Sequence, residues 1–320
     1  MKSDDCSLDP QQRQAVETRA RELLSRADAW GIYPTPIEQL LEAANLQVAP
    51  SKAFDPAAVL TYLKGKAVNA GRHLKSAIKK VFGIYDAGDQ IIHIDDSVVP
   101  QKQSFLKLHE TGHHELPHHR KTFRIFEDCE QTLSPEIADL FEREANNFAR
   151  FAMFQGDAYA RMAADHALSV KSHMSLAKTF GASQYASARE FARTNHRECL
   201  VIVLNKPEFC AVHGVSASVR RIVGSPSFRQ KFAMPDDEII TPDHALGPLL
   251  PVGKRRMAPA IGLAMEDRNG DRHECLAESF YTGHNVLILL YTKRSLAMKT
   301  TIIMPPGVQH SSNSSSRTVA

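Results

Sequence analysis

The run His109-Glu110-Thr111-Gly112-His113 decides the reading of this chain. It sits in a segment opened by Pro100 and closed by Pro117, whose apolar positions Phe105, Leu108, Gly112 and Leu116 recur at helical spacing. Residues four apart share a helix face, so both imidazoles can turn to one point. Two histidines placed this way suit a metal ion, and Glu110 beside them can take a proton from a metal-bound water. With a third protein ligand, a tetrahedral zinc would keep one open position, the pattern of a catalytic rather than a closed structural site.

The third ligand must come from another segment. Ser134-Pro135-Glu136 reads as a helix start, with a capping hydroxyl, proline at the first position and an acid in the first turn. The helix continues through Ile137, Leu140, Phe141, Ala145, Phe148 and Ala152. Glu142 shares a face with Ala138, Ala145, Asn146 and Ala149, small residues that allow close approach to the histidine helix. Glu142 is therefore the expected third ligand. Asn146, one turn on, is expected to accept a hydrogen bond from a ligating histidine and so fix its ring. Two rivals exist. Glu144 points to a different face, and His119 stands where the metzincin motif has its third histidine, although Leu116 replaces the glycine of that motif. His114 and His118 have no motif role and are expected to face solvent. Ligand chemistry favours zinc, with manganese a second candidate because availability also decides.

Around this centre, positions Pro10 to Trp30 predict an amphipathic helix, Pro36 to Ala44 a short second one, and Leu46 to Val48 the start of a strand. Asp55 to Lys80 reads as a helical, basic segment with Lys64, Lys66, Arg72, Lys75, Lys79 and Lys80, a solvated face first and a nucleic-acid patch second. Phe82 to Tyr85 and Gln90 to Ile94 flank Asp86-Ala87-Gly88-Asp89 as a hairpin. The arm Gln90, Ile91, Ile92, His93 and Ile94 is the candidate edge strand for an extended substrate. His118 to Leu133 is expected to be a loop with room for a short helix. Ser175 to Phe180, Gly181-Ala182-Ser183 and Gln184 to Arg193 suggest a helix-turn-helix, read first as a structural or substrate-docking module and second as a DNA-binding one whose Lys171, Lys178, Arg189, Arg193 and Arg197 could meet phosphates.

The 320 residues are 43% hydrophobic and carry a net charge of +3, enough for a sizeable core and too little charge to imply nucleic acid. The acidic start at Met1-Lys2-Ser3-Asp4-Asp5 predicts no secretory leader, and no long apolar run predicts a membrane span. Five scattered cysteines without paired spacing fit a reduced, cytoplasmic protein.

The stretch from Gly83 to Met153 resembles the ImmA/IrrE family of bacterial metallopeptidases. The matching residues are Gly83-Ile84-Tyr85-Asp86, Ile91-Ile92-His93-Ile94, Phe105-Leu106-Lys107-Leu108-His109-Glu110-Thr111-Gly112-His113 and Glu142-Arg143-Glu144-Ala145-Asn146-Asn147-Phe148-Ala149. The resemblance implies His109, His113 and Glu142 as ligands and Glu110 as base. It also implies a site-specific protease that cleaves a helix-turn-helix repressor and so derepresses stress-response or mobile-element genes. The chain departs from the family in the length of the basic segment 55–80, and in having Phe151-Ala152-Met153-Phe154 without the proline usual after the third-ligand helix.

After Cys199 the texture turns to strands at Leu200 to Leu204, Ala260 to Met265 and Val286 to Tyr291. This region resembles the GAF-like half of radiation-response members of the same family. The expected fold is α+β: a zinc-peptidase domain over 1–156 with a small antiparallel sheet, a helix-turn-helix-like module over 157–197, a β-rich, GAF-like sensor or docking domain over 198–304, and a disordered tail over 305–320. Two other functions fit the same sequence: a DNA-binding transcriptional regulator with a vestigial metal site, and a protease-like toxin of a toxin-antitoxin pair.

Overall fold

In the computed structural model of the protein, residues 7–49, 83–86, 90–94, 98, 100–128, 135–210, 214–251 and 256–293 are described. The basic segment 55–80, the capping Ser134, Cys6, Cys129 and the tail over 305–320 lie outside them.

Helix α1 (Pro10–Arg26) opens on a reciprocal cap, in which Asp9 Oδ1 accepts from the Gln12 amide at 2.8 Å and Gln12 Oε1 accepts from the Asp9 amide at 3.3 Å. It buries Val16, Ala20, Leu23 and Leu24 and ends short of the expected Trp30. The turn that follows is held from a distance: Gln155 Nε2 donates to the carbonyls of Ala29 at 3.1 Å and Ile32 at 2.8 Å, and its Oε1 accepts from the Gly31 amide at 2.8 Å. Helix α2 (Ile37–Ala43) leads into β1 (Gln47–Val48), which pairs in parallel with β3 (Ile91–Ile94). Strand β2 (Gly83–Asp86) pairs with β3 antiparallel, Gly83 opposite Ile94 and Asp86 opposite Ile91. The sheet order is β1-β3-β2, which corrects one expectation: the Gln90 to Ile94 arm is the central strand, not the edge. The short β1 covers its outer side and leaves β2 as the flank beside the histidine helix.

That helix, α3 (Pro100–Glu115), is separated by Leu116 alone from α4 (Pro117–Asp128). The stretch expected as a loop with a short helix is helical from its start to Asp128. Proline at a first helical position loses no hydrogen bond, since that amide has no intrahelical partner, so Pro117 restarts a helix instead of ending order. Helix α5 (Pro135–Phe154) then crosses α3 closely. A Cβ placed on Gly112 would lie 3.1 Å from Phe148 Cβ and 3.2 Å from Ala145 Cα, so glycine facing alanine sets the separation.

Helices α6 (Ala158–Ala164), α7 (Val170–Phe180) and α8 (Gln184–Thr194) follow. Ser169 and Ser183 cap α7 and α8, and α7 closes on left-handed Gly181, φ +65°, a conformation that costs other residues strain. Every residue of α8 is at least partly buried; Ser187 to Ala192 are fully so, packed toward the sheet strands that follow. Arg150 of α5 reaches Glu190 of α8 at 3.0 Å, and Arg193 meets the same carboxylate at 2.8 Å. Together the two cations outweigh burial and hold Glu190 well below its usual pKa.

The remaining strands are β4 (Cys199–Leu204), β5 (Glu208–Cys210), β6 (Gly214–Gly224), β7 (Ile239–Ile240), β8 (Met257–Glu266), β9 (Arg272–Tyr281) and β10 (Val286–Thr292), with helix α9 (Pro226–Lys231) between β6 and β7. They form one antiparallel seven-stranded sheet in the order β5-β6-β4-β10-β9-β8, with β7 added on β6. Side chains alternate across a strand. Cys199, Val201 and Val203 of β4, with Leu287 and Leu289 of β10, therefore join the helical core, while Leu200, Ile202, Leu204 and Ile288 join a second core with Phe228 and Phe232. The helical core runs unbroken across residue 197 into this sheet. Burial pushes the Cys199 thiol up to about 12 and the Cys275 thiol up to about 11, so neither carries thiolate chemistry at neutral pH. No helix of the described residues is long and apolar enough to cross a membrane.

Candidate metal centre

Helix α3 brings His109 and His113 one turn apart with their Nε2 atoms 3.2 Å from each other. Helix α5 delivers Glu142 from across the helix pair, its Oε2 3.4 Å from His109 Nε2 and its Oε1 3.6 Å from His113 Nε2. Four ligands at 2.0–2.1 Å around a tetrahedral zinc lie about 3.3 Å apart. The two imidazole nitrogens stand near that spacing, each with a different Glu142 oxygen close by, and the residue types suit the ion. Both histidines are buried, whereas 56% of the Glu142 side chain is exposed, which leaves the centre open on the side of α5 that faces water.

The far side of each ring is also engaged. Asn146, one turn after Glu142, sets its Oδ1 3.2 Å from His109 Nδ1, where it accepts the Nδ1 proton and leaves Nε2 for a metal. Glu110 is buried beside His109. Burial alone would lower the His109 pKa; Glu142 first, then Glu110 and Asn146, overcome it and raise the imidazole to about 8. Burial works against ionised Glu142 as well, but hydrogen bonds and attraction from the two imidazoles hold its carboxyl far below the usual range.

Glu144 faces elsewhere, as its position on α5 implies. His118 Nε2 and His119 Nε2 each lie 2.7 Å from its Oε2. His119 is not a loop residue: it is wholly buried on α4, stacked on Phe141 with centroids 3.9 Å apart, and its Nδ1 is 3.0 Å from His113 Nδ1. Burial, only partly offset by Glu144, drops its pKa to about 4. His114, expected at the surface, is buried, and His118 is half-exposed yet tied to Glu144. The signal overlooked in the sequence was Pro117 itself, which as a helix-opening residue places His118 and His119 in the first turn of α4. Among the described residues the two groups that could hold a metal ion are His109-His113-Glu142 and His118-His119-Glu144. His273 lies in neither, since its Nε2 pairs with Asp267 at 2.9 Å.

No protein-family model matches the chain, and no curated protein matches it. Among solved structures, a Mycobacterium tuberculosis transcriptional regulator is similar with a TM-score of 0.47 and 12% sequence identity, over 87% of this chain and 75% of that one.

Proposed function

We propose that this chain is a zinc-dependent endopeptidase of the ImmA/IrrE type, which cleaves a helix-turn-helix repressor and so releases stress-response or mobile-element genes. The observation that carries the reading is the convergence of His109, His113 and Glu142 at metal-ligand spacing with Glu110 beside them. His109, His113 and Glu142 would hold the ion, and manganese could replace zinc in the cell. When bound, the ion supplies Lewis acidity to a water and to the scissile carbonyl. Glu110 takes the proton from the attacking water on its carboxylate and returns it to the leaving amine. Asn146 keeps His109 in the tautomer that offers Nε2. An extended substrate would lie along β2, the sheet flank next to α3, where main-chain hydrogen bonds align the scissile bond. The seven-stranded sheet would serve as the sensor or docking unit.

The burial of α8 favours this reading over a DNA-binding regulator. A recognition helix needs an exposed face for the major groove, and α8 has no exposed residue. The test is metal content and cleavage, measured together. Purified protein given zinc should hold about one ion per chain and cut a helix-turn-helix repressor offered as substrate. Glu110→Gln should keep the ion and lose cutting by roughly 10²–10⁴-fold. A wild-type protein that takes up neither zinc nor manganese would overturn the proposal.

A further inference from the structure

The three-ligand centre leaves the neighbouring cluster of His118, His119 and Glu144 without a role. Its residue types would suit a second metal ion, but its distances do not. Ligand atoms around one zinc stand about 3.3 Å apart, whereas both imidazole nitrogens sit 2.7 Å from the same oxygen, Glu144 Oε2. That is the length of an N–H donating to a carboxylate. The first cluster has metal spacing and the second has hydrogen-bond spacing.

The protons follow from the acceptors. A carboxylate can only accept, so His119 Nε2 carries a proton and donates it to Glu144. His119 is 0% exposed, and a neutral imidazole with Nε2–H has a bare Nδ1. That Nδ1 lies 3.0 Å from His113 Nδ1, which must then be the donor. With its proton on Nδ1, His113 presents a lone pair at Nε2, toward His109 Nε2 and Glu142. The stack of His119 on Phe141 fixes the plane of the intermediary ring.

We propose that His119, anchored by Glu144, is a positioning residue of the metal centre: the chain Glu144–His119–His113 locks the ring and tautomer of His113 for metal binding. Asn146 does the same for His109 with a single amide, whereas His113 is served by a buried imidazole and a carboxylate in series. This inference rests on the metal reading of the first cluster.

The test is zinc affinity, measured by competition with a chromophoric chelator on the whole chain, together with the visible spectrum of the cobalt-loaded protein. His119→Leu, which removes the acceptor, should weaken zinc about 10–100-fold and alter the cobalt spectrum. His119→Gln, whose side-chain oxygen can still accept from His113 Nδ1, should recover most of both. Loss of packing alone would not be rescued in this way. If His119→Leu does not fold, Glu144→Ala carries the test with the same expected weakening. Folded His119→Leu that binds zinc as tightly as wild type would overturn the relay and leave the metal site standing. Two zinc ions per wild-type chain, one of them lost in His119→Leu, would overturn it in favour of a second metal site. A wild type that binds no zinc would sink the metal reading itself, and the relay with it.

Discussion

Glu142 and Glu144 stand two residues apart on one helix and each faces a pair of histidines, yet the two clusters are built for different ends. A two-residue step turns a helix by roughly 200°, so the carboxylates look to opposite sides of α5. Glu142, half in water, holds its imidazoles at 3.4 and 3.6 Å. Glu144, buried, draws its pair in to 2.7 Å. Residue type alone would have made both metal sites. Donor separation and burial divide them into one group that could hold a cation and one network closed by its own hydrogen bonds.

The largest expected effect breaks this comparison at its root. Glu142→Ala should take zinc from about one ion per chain to nearly none by mass spectrometry, while Glu144→Ala should retain the ion at normal protein loading, with weakened affinity. Equal losses would erase the distinction between the clusters. Arg150→Met tests the converse, a buried ion pair on α5 that serves packing. Leaving Glu190 short of a partner should cost about 3 kcal/mol in denaturant unfolding without changing metal content. Gly112→Ala acts on the helix contact itself. An added methyl against Phe148 and the Ala145 backbone should cost about 1–3 kcal/mol and weaken metal binding, because the carboxylate is pushed off the histidine helix.

The smallest effect uses an imidazole outside both clusters. His173 is buried on α7 with neither ring nitrogen hydrogen-bonded, and burial lowers its pKa to about 4. A histidine that ionises less readily folded than unfolded supports the fold above the unfolded pKa, near 6.5, and loses that support as pH falls toward 4. Between pH 7 and 5 the wild type should therefore lose about 2 kcal/mol more than His173→Leu. Parallel pH curves for the two proteins would show that His173 does not titrate with folding, and would remove the baseline for a buried imidazole without a carboxylate.

The convergence of His109, His113 and Glu142 was legible in the sequence because it obeys local rules. His109 and His113 follow helix periodicity, and Glu142 and Asn146 share a face with the alanines that allow α5 to approach. Its surroundings were not legible, for physical reasons. The relay depends on α4, hidden because Pro117 was read as a terminator when the same residue is equally fit to begin a helix. The central place of β3 depends on its parallel pairing with β1, a strand start the sequence shows at Leu46 to Val48 but whose distant partner no short turn announces. The burial of α8 is completed by α7 on one side and by β4 and β6, the strands that follow it, and its own amphipathic pattern is equally that of a helix-turn-helix.

The alternating side chains of β4 bind the halves of the molecule more firmly than any linker could. One face of the strand completes the helical core beside the candidate metal site, and the other lines the core beneath α9. Severing the chain near residue 197 would strip Cys199, Val201 and Val203 from the helices and leave both pieces with a raw apolar wall. Strain imposed on one face of this shared wall has no slack in which to dissipate before it reaches the other.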